Sequence, residues 1–172
     1  MTQAQAQGVV DYIRNGYRQA GLGEIRGWTL KVSDLNTMAR VCGSPNVKGY
    51  AHKSRSGYEV FILRDLSKLF FAHVLAHELL HIWQYHQGLY PEQQLCEGFC
   101  NLGSYYVLEH IGGAEAEAQM KLLCENPDPI YGDGFRIIKK QYDKGGWPAA
   151  TQYIRQSSDK PKRKDKIWQR IF

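Results

Sequence analysis

The stretch FFAHVLAHELLHIWQYHQG, residues 70–88, constrains this chain more than any other. Phe70, Phe71, Val74, Leu75, Leu79, Leu80, Ile82 and Trp83 cover nearly the whole circumference of a helix, which marks a helix buried on most sides. The same helix carries His73, His77, Glu78, His81 and His86, and so holds four of the chain's six histidines. Buried imidazoles and carboxylates are costly unless they are paired or coordinate a metal. A fold that buries this segment must therefore also satisfy it.

The spacing indicates how. His77-Glu78-Leu79-Leu80-His81 is an HExxH pattern, and residues i and i+4 are neighbours on a helix face, so both imidazoles can reach one ion. Glu78 projects beside them as a base for water. The metzincin continuation needs Gly at 84 and His at 87; Gln84 and Gln87 exclude it. A third ligand from the next helix would complete a His₂Glu zinc site with an open position. Residues 91–110 offer Glu92, Glu97 and Glu109. Glu97 is the choice, because it lies about one turn into the helix and Gly98 after it permits close helix approach. Glu92 is expected to be an exposed first-turn residue, and Glu109 stands at the far end. Asn101, four residues on, shares the Glu97 face and can accept the free N–H of a ligating histidine; a surface helix residue is its alternative. His73 is expected to line the core or cleft, and His86 to be solvated at the helix C-terminus. His52 and His110 have no partner legible in sequence.

Around this helix the periodicity predicts a first helix over 4–20, a strand at 28–32, and a short helix from SDLNTMARVC with Ser33 or Asp34 as its cap. Two strands joined at KSRSG follow, the second being GYEVFIL (57–63), read as an exposed edge. The histidine helix spans about 66–86, then helices follow at 91–110 and 113–125. NPDPIYGDG reads as a loop, before two amphipathic segments. Strands early and helices late give an α+β class. The expected architecture is a small N-terminal sheet packed on the HExxH helix and the glutamate helix, with helices to the C-terminus. No repeat or linker divides residues 1–158.

The net charge of +5 is uneven, because residues 159–172 hold six Lys/Arg against two Asp. This basic tail is read as a solvated stretch with an apolar end docking on the domain, and nucleic acid is not the expected partner. No run of apolar residues is long enough for a membrane span, and no secretory signal opens the chain, so a cytoplasmic location is expected. Cys42, Cys96, Cys100 and Cys124 need form no disulfides in that setting. Cys96 and Cys100, four apart, are read as small buried apolar side chains.

LAHELLHIW (75–83), then P-E-x-x-L-C-E-G-F-C (91–100), then YGDGFR (131–136) together resemble the C-terminal peptidase domain of the DA-one family. These are plant LIM-domain proteins that limit organ growth, with stand-alone bacterial relatives. The resemblance covers residues 57–156. It implies a gluzincin-type zinc peptidase with His77, His81 and Glu97 as ligands and Glu78 as base; the polar amide that family carries four places after the glutamate favours Asn101 as the support. The ubiquitin-interacting motifs and LIM module of the plant proteins do not appear here, so neither their regulation nor their substrates carry over. Tyr131 can present its hydroxyl to an oxyanion, work gluzincins assign to a downstream Tyr or His, or be structural. Asp133 can cap the helix at Gly134, and Arg136 can pair with it.

The expected function is zinc-dependent hydrolysis of peptide bonds, with a peptide or protein as substrate. A metal hydrolase of a non-peptide small molecule and a non-catalytic zinc-stabilised interaction domain are the alternatives.

Overall fold

The computed structural model describes residues 1–44 and 46–158, so the basic tail at 159–172 lies outside the described residues. Six α-helices and three strands are found among them, in an α+β arrangement around one hydrophobic core. Helix α1 (Gln3–Gln19) is started by a capping box between Thr2 and Gln5, which satisfies two otherwise orphaned amides. It buries Val9, Val10, Ile13 and Tyr17, the face its spacing predicts. Strand β1 (Trp28–Ser33) leads into helix α2 (Leu35–Cys42), capped by the Asp34 carboxylate accepting from the Thr37 amide at 2.8 Å. Strands β2 (Gly49–Ser54) and β3 (Gly57–Leu63) form a hairpin.

The sheet order is β1-β3-β2. GYEVFIL is therefore not an edge: β1 pairs with it in parallel on one side, from Trp28 opposite Tyr58 to Ser33 opposite Leu63, and β2 antiparallel on the other. The hairpin is a local signal, whereas the parallel partner arrives from about thirty residues earlier and leaves no local mark. Val60 and Ile62 are fully buried on the face toward the helices. On the opposite face His52 contacts Glu59 at 3.1 Å and stacks on Tyr50.

Helix α3 (Lys68–His86), capped by Ser67, lies at the centre. Phe71, Leu75, Leu79, Leu80 and Ile82 are fully buried around it, with the sheet on one side and helix α4 (Gln93–Ile111) on another. The Tyr17 hydroxyl donates to the Ala76 carbonyl at 2.8 Å, docking α1 on the turn before the histidines. Helix α4 begins two residues later than its sequence suggests. Pro91 instead bridges to Ser158, whose hydroxyl accepts from the Tyr90 amide at 2.6 Å.

Helix α5 (Ala114–Glu125) follows, then a π-helical turn (Pro129–Asp133) where a loop is expected, then helix α6 (Gly134–Gln156), bent at Gly145 and Gly146. The π turn exists because the Asp128 carboxylate accepts from the Ile130 and Tyr131 amides, while the Asp128 carbonyl accepts from Gly132 and Asp133. Asp133 makes no capping hydrogen bond; it pairs with Arg136, which also donates to the Cys124 and Asn126 carbonyls. Neither Gly132 nor Gly134 has a positive φ. They serve close approach instead: a Cβ on either would overlap the carbonyl of Asn126 or Gln94 respectively.

Candidate metal centre

His77 and His81 stand one turn apart on α3 and face α4, where Glu97 sits one turn into the helix and is fully buried. The approach is close because of Gly98: a Cβ there would clash with the backbone of Gly134 and Phe135, which presses α6 onto α4. His77 Nε2 lies 3.1 Å from Glu97 Oε2, His81 Nε2 3.6 Å from the same oxygen, and the two Nε2 atoms 3.2 Å from each other. Ligand atoms about 2.0–2.1 Å from a tetrahedral zinc stand about 3.3 Å apart. The three donors form a triangle of that size. The other Glu97 oxygen, Oε1, is buried without a partner among the described residues, an arrangement that a cation would relieve.

The charges are poised accordingly. Burial pushes the Glu97 carboxyl up, but the His81 charge and the hydrogen bonds from His77 and His81 outweigh it and hold the group at about 2. Burial likewise opposes charge on His81, and the Glu97 carboxylate more than offsets it, raising the imidazole pKa. Glu92, the competing carboxylate, is exposed at the N-cap of α4 and makes no capping bond.

Asn101 lies on the same face as Glu97. Its Nδ2 donates to the Tyr131 carbonyl at 3.0 Å, which leaves Oδ1 facing His77 Nδ1 at 3.0 Å. A carbonyl can only accept, so the amide orientation is fixed, and with it a proton on His77 Nδ1; Nε2 is the ring atom left to face Glu97 and to meet a cation.

His81 is held differently. Cys100 Sγ lies 3.3 Å and Cys96 Sγ 3.6 Å from its Nδ1, and Gln84 Nε2 donates to Cys100 Sγ at 3.2 Å. The two thiols are buried, as expected, but they are not merely apolar filling; they make the polar contact that orients His81. The Cys100 hydrogen bond outweighs burial and lowers the Cys96 thiol to about 6, while burial raises Cys100. Both sulfurs also fall within metal-ligand spacing of parts of the cluster. They meet His81 at Nδ1, however, the ring edge opposite the Nε2 that faces Glu97. The signal for this role is their register: Cys96 and Cys100 stand one before and three after Glu97, on the stripe that meets α3.

Glu78 is buried on the β2 side of α3. Burial raises its pKa, more than the positive histidines and a hydrogen bond from the Ala51 amide lower it. Gly49 on β2 makes room, since a Cβ there would meet Glu78 Oε1 at 2.8 Å. Tyr131 lines the same cleft, its hydroxyl buried without a partner among the described residues and its pKa raised by burial and then by the carboxylates of Glu97 and Glu78. The hydroxyl thus stays protonated, a donor awaiting an acceptor. His86 is exposed, and His110 Nδ1 contacts the Tyr106 carbonyl at 2.8 Å; neither joins the cluster.

No family model, curated protein or solved structure matches the chain. Among the described residues no helix is long and apolar enough to cross a membrane.

Proposed function

We propose that the chain is a zinc-dependent peptidase of gluzincin type. The observation that carries this reading is the zinc-sized triangle of His77 Nε2, His81 Nε2 and Glu97 Oε2 beside a buried carboxylate, Glu78, which is not among its donors. His77, His81 and Glu97 would hold the ion, and the fit is supported by the unpartnered Glu97 Oε1. Once bound, zinc supplies Lewis acidity toward water and toward a carbonyl.

The chain's own groups do the rest. Glu78, with its raised pKa, takes the proton from the attacking water and delivers it to the departing amine. The Tyr131 hydroxyl donates to the oxygen that gains negative charge. Asn101 and the Cys96–Cys100 pair keep the two imidazoles in their ligating tautomers.

A peptide has a place to lie on β2. Leu63 donates to the Lys48 carbonyl, and alternation from that pair turns the backbone groups of Gly49 and the Ala51 carbonyl away from β3, toward the outer edge of β2, where the Ala51 amide already donates to Glu78. An extended substrate added to that edge would lie beside Glu78. The resemblance of the three sequence blocks to DA-one peptidase domains points the same way.

The test is the metal content of the purified chain beside Glu97→Ala, Glu92→Ala and Glu78→Gln, followed by peptide-library cleavage. One zinc per chain, lost in Glu97→Ala and kept in Glu92→Ala and Glu78→Gln, is expected. Cleavage should fall by about 10²–10⁴ in Glu78→Gln. A chain that binds no zinc overturns the reading. Zinc binding without cleavage of any peptide would turn it toward the small-molecule hydrolase or the non-catalytic domain.

A further inference from the structure

One turn before His77 on α3, a cleft of about 230 Å³ runs past His77 and Glu78, lined by Lys48, His73, Val74 and Ser104 among others. The same cleft takes in Asn101 and Tyr131, so a side chain seated at His73 lies next to the groups that act on the bond. Its chemistry is specific. His73 Nε2 is buried with no partner among the described residues, a state that is costly unless a ligand satisfies it. The residue is held in place, for Ser104 donates to its carbonyl at 2.8 Å and its ring meets Phe70 edge-on at 5.0 Å. Burial first, then the charges of His77 and Lys48, lower His73 to about 4, so at neutral pH it is a hydrogen-bonding group and not a cation. The cation is Lys48, exposed at the rim with its ammonium 5.7 Å above the same Phe70 ring. Among the described residues that line the cleft the acidic one is Glu78, which the mechanism already uses.

A neutral imidazole at depth, which can present an N–H at Nε2, and an ammonium at the rim match a carboxylate. We propose that this cleft is the subsite for an acidic side chain flanking the scissile bond, with His73 Nε2 hydrogen-bonding the carboxylate and Lys48 supplying the opposite charge. The inference rests on the peptidase reading and deepens it by naming the substrate class.

The test is a random peptide library digested by the zinc-loaded wild type, Lys48→Glu, His73→Phe and His73→Gln, with cleavage sites read by mass spectrometry. Wild type should favour Asp or Glu at one position adjacent to the cleaved bond, with kcat/KM about tenfold higher for Glu than for Gln there. Lys48→Glu should shift that position toward Lys and Arg. His73→Phe should lose the preference with other positions unchanged, and His73→Gln, which keeps an N–H, should retain part of it. Zinc-loaded Glu78→Gln should bind the best-cleaved peptide about tenfold tighter than its Glu-to-Gln counterpart by fluorescence anisotropy. Cleavage with no acidic preference, or a Lys48→Glu profile identical to wild type, overturns the subsite alone. Zinc binding with no cleavage and no peptide binding overturns the peptidase reading and the subsite with it.

Discussion

Replacing Gly98 by alanine adds one methyl group where α4 and α6 come closest. Its Cβ would stand 2.8 Å from the Phe135 amide nitrogen and nearer still to the Gly134 carbonyl. With carbon contacts optimal from about 3.5 Å, α6 must retreat by roughly 0.7 Å to clear the amide alone. The obstacle is backbone, which cannot rotate away as a side chain would. Overpacking a core costs about 1–3 kcal/mol, and the upper end, about 3 kcal/mol, is expected here. For a domain of this size that lowers Tm by about 6–12 °C. Gly8, inside α1, is the matched control: no heavy atom lies within 4 Å of its added Cβ, so Gly8→Ala should stabilise by about 0.5–1 kcal/mol. The two helices share the displacement, and because Glu97 precedes Gly98 on α4 the part taken by α4 moves Glu97, so zinc affinity should fall at least about tenfold. Urea denaturation in the presence of a chelator measures the first effect, and zinc competition against a chromophoric chelator the second. A Gly98→Ala protein as stable as wild type, with unchanged zinc affinity, would refute the claim that this contact positions Glu97.

Tyr131→Phe should lower kcat by about 10² while leaving zinc affinity and KM in place, as a transition-state donor requires; steady-state kinetics with unchanged kcat would leave Tyr131 a structural residue. Cys100→Ala should weaken zinc binding by about tenfold and Cys100→Ser should restore part of it; equal affinities in all three proteins would return the thiol to a packing role. His73 makes stability pH-dependent. Its pKa falls from an ordinary 6.5 to about 4 in the fold, so the unfolded chain takes up a proton that the folded chain resists. Stability is therefore full above pH 6.5 and is lost as pH falls toward 4, by about 3 kcal/mol in all. Metal-free denaturation curves across that window should show this loss in wild type and its absence in His73→Phe; parallel curves for the two proteins would rule out His73 as the source.

Much of the site could be read from local sequence because it rests on helical periodicity. His77 and His81 share a face at i and i+4, Glu78 stands beside them, and Glu97 and Asn101 repeat the same spacing on α4. Gly98 next to Glu97 already signalled close helix approach. The residues that escaped were those whose role depends on what another element presents to them. Cys96 and Cys100 look like small apolar residues until His81 Nδ1 is placed against them. The glycines of YGDG look like turn residues until the Asn126 and Gln94 carbonyls are seen where a Cβ would be. Asp133 looks like a cap, but a π turn anchored by Asp128 satisfies the amides first.

The sheet draws the same line. Alternation fixed β1, β2 and β3 as strands and the short KSRSG connection joined two of them, because side-chain period and hairpin closure are short-range properties of the chain. Which strand holds the centre depends on a parallel pairing between segments about thirty residues apart, and that is decided by the burial of Val60 and Ile62 against α3 and not by any local preference. The sequence by itself determined the main helices, the residues that meet at the candidate site and the α+β class. Only the tertiary structure decided that β3 is covered, that the outer edge beside Glu78 belongs to β2, and that the half-buried His73 turns its Nε2 inward at the cleft, since each is a contact between elements whose positions no single stretch of sequence encodes.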